Sequence, residues 1–526
     1  MLGVHATGDA LVLSDGRQTG PDENWIEWIL ATDTKQDKIA YDLDYLAAQL
    51  LRHSFAEERE CRRLLTEHKA HLRSGHSIFY IPNRVMSIEH GYQSAKRYTT
   101  IYNAKQYAEA RHVPNITIDE ARRLAATALA TGQSVHEGYD ALGIDGRSLT
   151  SPVKAFDKAG LWPNIATVDD IPPGAGELAY QTIKSNWVEA FALGHWDNVY
   201  DYDINGAYAS EMALLQEIRN GQWVEADKVP HGAVYGFSKG LLEIHVPFHP
   251  ILMRGDRDSL YTPVGIWETY LTQQEIGFIT RNQLGYYRIH EGWWWIPEHT
   301  SYPFHATVMR IWQARQKNEG MVSTICKRIL AGMWGKMLEM RGSAAEPEFG
   351  PHFNPVYGAI VEANVRLRVV QACVDNGVVP LHVAVDGMIT DRPLERVTVN
   401  TNLGGWRLSH VGKCIIAGSG IVGMEGKGGE EEFALSYEWL KGMFEVYPGQ
   451  KEYSKTKWSA VSVAKALNEE GGWERLGKLE QITRTVAVGE EVKRFYAKQP
   501  RCGRDVLGNR YVGQPWSSSV VLPVKV

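Results

Sequence analysis

NVYDYDINGAYASEM, residues 198–212, begins as a β-favouring run that ends in Asp203, and the chain then turns through Asn205 and Gly206. A carboxylate at a strand end, followed by the backbone amides of a turn, can hold a divalent cation beside a triphosphate. Asp201 lies two residues earlier and so on the same strand face. An acid before a turn serves equally well as a cap or turn residue, so this stretch gains meaning only from what accompanies it.

Two further segments accompany it. FHATVMRIWQARQKNEGMVSTICKRILAGMWGKML, residues 304–338, has the pattern of a helical hairpin with its turn near Asn318 to Gly320. Val322, Ile325, Cys326, Ile329, Leu330, Met333 and Met337 recur at helical spacing and make one apolar stripe. At about 100° per residue, Ser323, Lys327, Ala331 and Trp334 fall near the opposite side. Arg315 lies across the turn on the first helix, and the two cations together suit a polyphosphate; a solvated lysine on an amphipathic helix has the same pattern. PLHVAVDGMITDRP, residues 380–393, is an apolar strand, then Asp386-Gly387, then a second short strand: a hairpin with an acid at its tip.

The order of the three segments, strand-Asp-Tyr, Lys-bearing helix, strand-Asp hairpin, resembles motifs A, B and C of family B DNA polymerases, and most of all the small protein-primed phage and plasmid type. DINGAYAS is similar to the family's D-x-x-S-L-Y-P, which implies a metal-binding role for Asp203, a turn role for Gly206 beside the nucleotide, and a sugar-screening role for Tyr208. KRILAGMWG resembles K-x-x-x-N-S-x-Y-G, which implies phosphate binding by Lys327 and puts Trp334 in the place of the tyrosine. The family's basic residue on the facing finger helix corresponds to Arg315. HVAVDGMI resembles Y-x-D-T-D-S and implies a second metal-binding role for Asp386. NPVYGAIVEANVRLRVVQAC and LGGWRLSHVGK flank motif C as in the family, with Lys413 in the place of the DNA-binding lysine of K-x-Y. The resemblance covers about residues 185–425.

It implies a mixed α/β chain: an exonuclease-like remnant at 1–180, palm at 181–230 and 341–425, an insertion like the priming-protein docking region at 231–300, fingers at 301–340 and a thumb or basic carboxy-terminal region at 426–526. It also implies a monomeric template-dependent polymerase that uses two Mg2+ or Mn2+ ions, deoxynucleotides, primer-template DNA and, for some members, a priming terminal protein. The departures are specific: Ala384 replaces the first acid of motif C, Ala331 the Asn of motif B, Gly206 and Gly332 the serines, and Ile415 the tyrosine of K-x-Y. Neither the early D-x-E nor the later Tyr-x-x-x-Asp of a proofreading nuclease occurs in residues 1–180, so proofreading is expected to be lacking. Asp42 and Asp44 are either remnants of its middle motif or helix-start acids, and Ser185-Asn186 replaces the glycine pair that joins the two domains. Between Lys336 and Asn354 only 17 residues remain, too few for the long hairpin that encircles DNA in relatives.

Two rival functions fit parts of the pattern. A polymerase-derived nucleic-acid-binding protein without activity accommodates Ala384 and Ala331, and a glycosyltransferase uses Asp201-Tyr202-Asp203 as a D-x-D metal site but leaves Lys327, Arg315 and the motif C hairpin without a role. Composition bounds all three readings. The 526 residues, 44% hydrophobic and 22% charged, suit several packed domains and contain no apolar run long enough for a membrane span. No secretory leader is evident, and the five cysteines are scattered and never in C-x-x-C spacing, so a cytoplasmic protein without a disulfide framework or zinc cluster is expected. A net charge of -6 means that DNA-binding cations must be segregated. One such segregation runs from Arg484 to Arg510, where Lys493 and Arg494 precede Phe495 and Tyr496 in a pattern suited to tracking a backbone and stacking bases. Loop-like boundaries are expected at 171–178, 342–355 and 426–432, short strands at ALVL and SIFYI, and one long helix over 44–72.

Overall fold

The structure, a computed structural model, describes the chain except for residues 33–36, 55, 91–96, 105–115, 146–150, 255–258, 343–346, 428–434, 447–451, 488–494, 497–518, 523 and 526. It forms two compact units. The first comprises Met1–Leu161, Ala314–Arg328 and Thr456–Arg484, the second Trp162–Gln313, Ile329–Lys455 and Thr485–Val526.

The first unit is built on a seven-stranded sheet of β1 (Leu2–Ala6), β2 (Leu11–Leu13), β3 (Lys38–Ala40), β4 (Lys69–His71), β5 (His76–Ile81), β6 (Val85–His90) and β7 (Arg97–Asn103), in the order β2-β1-β3-β7-β6-β5-β4. The central β1-β3-β7 pairings are parallel and the outer ones antiparallel. Its helices include α1 (Trp25–Ala31), α2 (Leu43–Arg52), α3 (Glu58–Cys61), α4 (Ile118–Ala141) and α5 (Pro152–Lys158). α4 packs on β1 so closely that a Cβ on Gly3 would stand 1.8 Å from the Ala125 carbonyl oxygen. Small residues at Ala121, Ala125, Ala128 and Gly132 make that approach feasible. The core joins Val4, Ile29, Leu46, Ile88 and Ile101 to Val461, Val463 and Leu467, which a later segment contributes.

The expected helix over 44–72 is interrupted. α2 stops at Arg52, a Glu57–Glu60 capping box starts α3, and the segment ends as β4 after His68, whose φ is +57°. The competing signal was the cap at Glu57, which satisfies orphan amides and so makes a new start cheaper than continuing through His53 and Ser54.

The second unit contains α6 (Pro173–Thr182), β8 (Val188–Ala190), β9 (Ala192–Ile204), α7 (Ala207–Met212), β10 (Gly221–Glu225), β11 (Tyr235–Ile244), β12 (Met253–Arg254), β13 (Leu260–Tyr261), β14 (Gly265–Thr272), α8 (Gln273–Arg281) and β15 (Gly285–Pro297). Then follow α9 (His305–Lys317), α10 (Gly320–Lys336), β16 (Met340–Gly342), β17 (Pro347–Phe349), α11 (Pro355–Asp375), β18 (His382–Ala384), β19 (Gly387–Thr390), β20 (Trp406–Gly418), β21 (Ile421–Met424) and α12 (Tyr437–Val446). The tip of the α9–α10 hairpin, Ala314–Arg328, is counted with the first unit.

Its main sheet runs β21-β20-β9-β19-β18-β8, all neighbours antiparallel, and the strand Ser519–Leu522 adds to β9 near Leu193. A separate four-stranded sheet has the order β10-β15-β11-β14 and is filled by the buried Trp294 and Trp295. Under the main sheet, Tyr202, Ile204, Val383 and Met388 pack on Val365, Val369 and Phe278 from α11 and α8.

The stretch 171–178, expected as a loop, is largely helix: Pro172 is the cap of α6 and Pro173 its first residue, where a missing N–H costs nothing. In 342–355, expected as a loop, Pro347–Phe349 form the strand β17, which pairs with β16, and Asn354 caps α11. The third boundary lies mostly outside the described residues, as do Lys493 and Arg494. Among the described residues no helix is long and apolar enough to cross a membrane, and Cys61, Cys326, Cys373 and Cys414 are buried free thiols.

Candidate active site

β9 is a central strand, which fixes what faces its end. Gly387 of β19 stands opposite Asp203 on one side and Arg407 of β20 on the other. Strand alternation brings Asp201 to the same face, and both acids line a cleft of about 440 Å³ together with His382, Ala384, Arg407 and Lys427. After β9 the chain reverses at Gly206, whose φ of +59° is left-handed. A side chain there would also crowd Leu403 and Trp312 at 3.0 and 3.1 Å, which adds to the preference for glycine set by the backbone. Asn205 pins the turn, its side-chain amide donating to the Asn400 carbonyl at 2.7 Å.

Asp386 occupies the turn between β18 and β19. The turn residues are Val385 and Asp386, with Gly387 already opening β19, one residue earlier than an Asp-Gly tip would have it. Val385 takes a φ of +56°, unusual for a β-branched residue, and its N–H donates to the Trp187 carbonyl at 2.7 Å. The Ile204 N–H donates to the Asp386 carbonyl at 3.2 Å, which moors the second acid against the end of the strand that carries the first. A larger residue than Gly387 would force the strands apart, since a Cβ would stand 2.9 Å from the Tyr202 carbonyl oxygen.

α7 places Tyr208 near enough to Asp386 to be influenced by its charge. Its ring lies 4.7 Å from that of Trp334 at 52°, and Trp334 Nε1 donates to the Gly358 carbonyl at 3.1 Å. Burial, then the charges of Glu362 and Asp386, raise the Tyr208 hydroxyl above its ordinary pKa, so it stays protonated. Behind it, Arg366 is buried between Glu362 and Glu275, 2.7 Å from the latter, and donates to the Pro250 carbonyl at 2.7 Å. Burial raises the pKa of Glu362, opposed by Arg366.

The structure thus gathers Asp203, Asp386, Gly206, Tyr208 and Trp334 of the sequence-derived residues within one unit. Lys327 is exposed on α10, two turns before Trp334, and Arg315 lies on α9, near enough to Cys326 to oppose the rise that burial gives that thiol, to about 11. Lys413 sits on β20 with its amine 3.4 Å from Glu425, both half exposed. Lys493 and Arg494 lie outside the described residues. Asp42 and Asp44 resolve as helix-start acids: Asp42 accepts the Asp44 and Tyr45 N–H groups at the start of α2, and Asp44 accepts the Tyr80 hydroxyl at 2.5 Å.

Sequence reasoning missed two cations. Arg407 pairs with Asp203, and Lys427 pairs with Asp201. Both follow from the register of β20 and the return of β21, which no local pattern specifies. The Glu362-x-x-x-Arg366 spacing was a legible signal for a helical ion pair. As metal donors, carboxylate oxygens of Asp203 and Asp386 suit Mg2+ or Mn2+, and Ala384 takes a third donor away.

No protein-family profile matches the sequence, and no curated protein is similar to it. In fold the chain is similar to solved DNA polymerase structures. The solved structures it resembles include phi29 DNA polymerase with primer-template DNA, at a TM-score of 0.60 and 12% identity, covering 93% of this chain and 99% of that one. The ternary complex of the same enzyme with primer-template DNA and incoming nucleotides gives 0.59 and 13%, and its complex with single-stranded DNA 0.61 and 12%, with the same coverage. The likeness is one of fold along almost the whole chain, and it agrees with the family B resemblance drawn from the three motifs.

Proposed function

We propose that this chain is a template-dependent DNA polymerase that adds deoxynucleotides to a primer 3'-hydroxyl and lacks proofreading. The observation that carries the reading is the meeting of Asp203 and Asp386 at the end of β9, in a chain whose fold follows phi29 DNA polymerase over 93% of its length. Asp203 and Asp386 would hold two Mg2+ or Mn2+ ions, which supply charge neutralisation for the triphosphate and activation of the primer hydroxyl. Tyr208, braced by Trp334, closes the space beside the sugar; Gly206 lets the backbone turn next to it. Lys327 and Arg315 take the triphosphate, and Lys413, Lys493 and Arg494 take the DNA backbone. In this reading residues 1–180 are the exonuclease-like domain, 181–230 and 341–425 the palm, 231–300 an insertion that can meet a priming protein, 301–340 the fingers and 426–526 the thumb. The protein acts as a monomer in the cytoplasm.

Primer extension with Mg2+ and with Mn2+ tests this. Wild type elongates a labelled primer, and Asp203→Asn and Asp386→Asn each abolish extension while retaining primer-template binding; undiminished synthesis by either variant refutes the assignment. A second reading, a DNA-binding protein without catalysis, is favoured by Ala384 and by the Arg407 cation on Asp203. Binding of primer-template with no extension in either metal selects it.

A further inference from the structure

Away from the cleft, in the first unit, Glu27, His76 and His90 place their ligand atoms within 4.8 Å of one another. Each comes from a different element. Glu27 sits in the first turn of α1, which Asn24 caps, and its Oε1 is 3.0 Å from His76 Nε2. His76 and His90 are direct cross-strand partners on β5 and β6, with ring centroids 4.5 Å apart. His76 is 1% exposed, and its Nδ1 lies 2.8 Å from the Ser74 hydroxyl. That contact fixes the ring so that Nε2 is the nitrogen directed at Glu27, the arrangement of a ligating imidazole whose other nitrogen is held by an oxygen. Gly75, at a φ of +84°, keeps the space beside His90 clear, since a Cβ there would stand 3.2 Å from His90 Nε2.

A cation, Arg97, reaches this cluster. Arg97 Nη2 lies 3.0 Å from Glu27 Oε2 and 2.9 Å from His90 Nδ1. Its side chain is 37% exposed, so it has a path to solvent. We propose that Glu27, His76 and His90 form a binding site for a transition-metal dication of the zinc class, with Arg97 as the side chain that the ion displaces. Two imidazole nitrogens and one carboxylate oxygen suit Zn2+ or Co2+ far better than Mg2+, and three protein ligands leave a fourth position for water. The ion would tie α1 to the β5–β6 hairpin, a staple independent of the polymerase reading.

Co2+ titrated into the full chain, followed by its visible ligand-field absorption, tests the site. Wild type and Asp203→Asn give the same tetrahedral-type bands, which Zn2+ abolishes on addition. His90→Gln, at a partly exposed position that spares the core, weakens binding by more than about tenfold, and Glu27→Gln acts in the same direction. Arg97→Ala tightens binding by up to about fivefold. Absence of bands in wild type, or bands that survive His90→Gln, shows a hydrogen-bonded cluster only and overturns the proposal.

Discussion

Replacing Gly387 with alanine tests whether the β18–β19 turn lies at the reacting centre. The added Cβ would stand 2.9 Å from the Tyr202 carbonyl oxygen and 3.8 Å from Asp203 Cα. Ordinary van der Waals contact begins at 3.4 Å, so β19 must retreat from β9 by about 0.5 Å, and both partners in the contact are backbone. Asp386 is the residue immediately before it in the chain and moves with it. A misplacement of about 1 Å costs on the order of a hundredfold in rate, so half of that predicts a fall in kcat of about tenfold. Overpacking of this kind costs about 1–3 kcal/mol in stability. Single-turnover primer extension reads the first quantity and urea unfolding the second. Gly442→Ala is the control: it lies within α12 with nothing within 4 Å of its Cβ, and alanine there stabilises the helix by about 1 kcal/mol. A Gly387→Ala protein that is destabilised but extends primers at the wild-type rate would remove Asp386 from the chemistry.

Three other outcomes follow from the geometry. Arg366→Met leaves Glu362 and Glu275 buried without their cation, and a loss of about 3–5 kcal/mol is expected in denaturant unfolding; a neutral result would mean that the pair takes up protons at no cost. Tyr208→Ala removes the ring that packs on Trp334 and should raise ribonucleotide use relative to deoxynucleotide, measured in competition; equal use by the wild type sinks the steric role. A 3'-labelled single strand incubated with metal should remain intact, as it does with Asp42→Ala/Asp44→Ala, because both acids are spent on the start of α2 and on Tyr80. Digestion by the wild type that this double variant loses would restore a nuclease.

The strand end at Asp203 and the turn after it were legible because their signals are local. The chain turns at Gly206 just after Asp203, as the Asn205-Gly206 pair indicates, and the α10 stripe of Ile325, Cys326, Ile329 and Met333 is buried as its spacing demands. What was not legible depends on register or on competition between nearby signals. Arg407 stands beside Asp203 only because β20 pairs with β9 in one particular alignment, and a shift of one residue would turn it to the other face. The helix at Pro173 was hidden by prolines and glycines that read as a loop, although proline is well placed in a first turn. The interruption after Arg52 was hidden by a long run of helix-forming residues that outweighs one capping box in any local count.

The central place of β9 bears on how the protein is made. Asp203 and Arg407 are 204 residues apart in the chain, and β19 on the other side of β9 also comes late. At about 5–20 residues per second, β9 leaves the ribosome about 10–40 s before the strands that cover its two edges. Through that interval it is a thirteen-residue ribbon with Ala192, Leu193, Val199, Tyr202 and Ile204 ready to pack and without the β19 and β20 strands that pair with it, a template for pairing with another nascent copy. Slower initiation, fewer ribosomes per message, or a holdase acting on residues 192–204 should therefore raise the soluble yield far more than any change in the finished cleft.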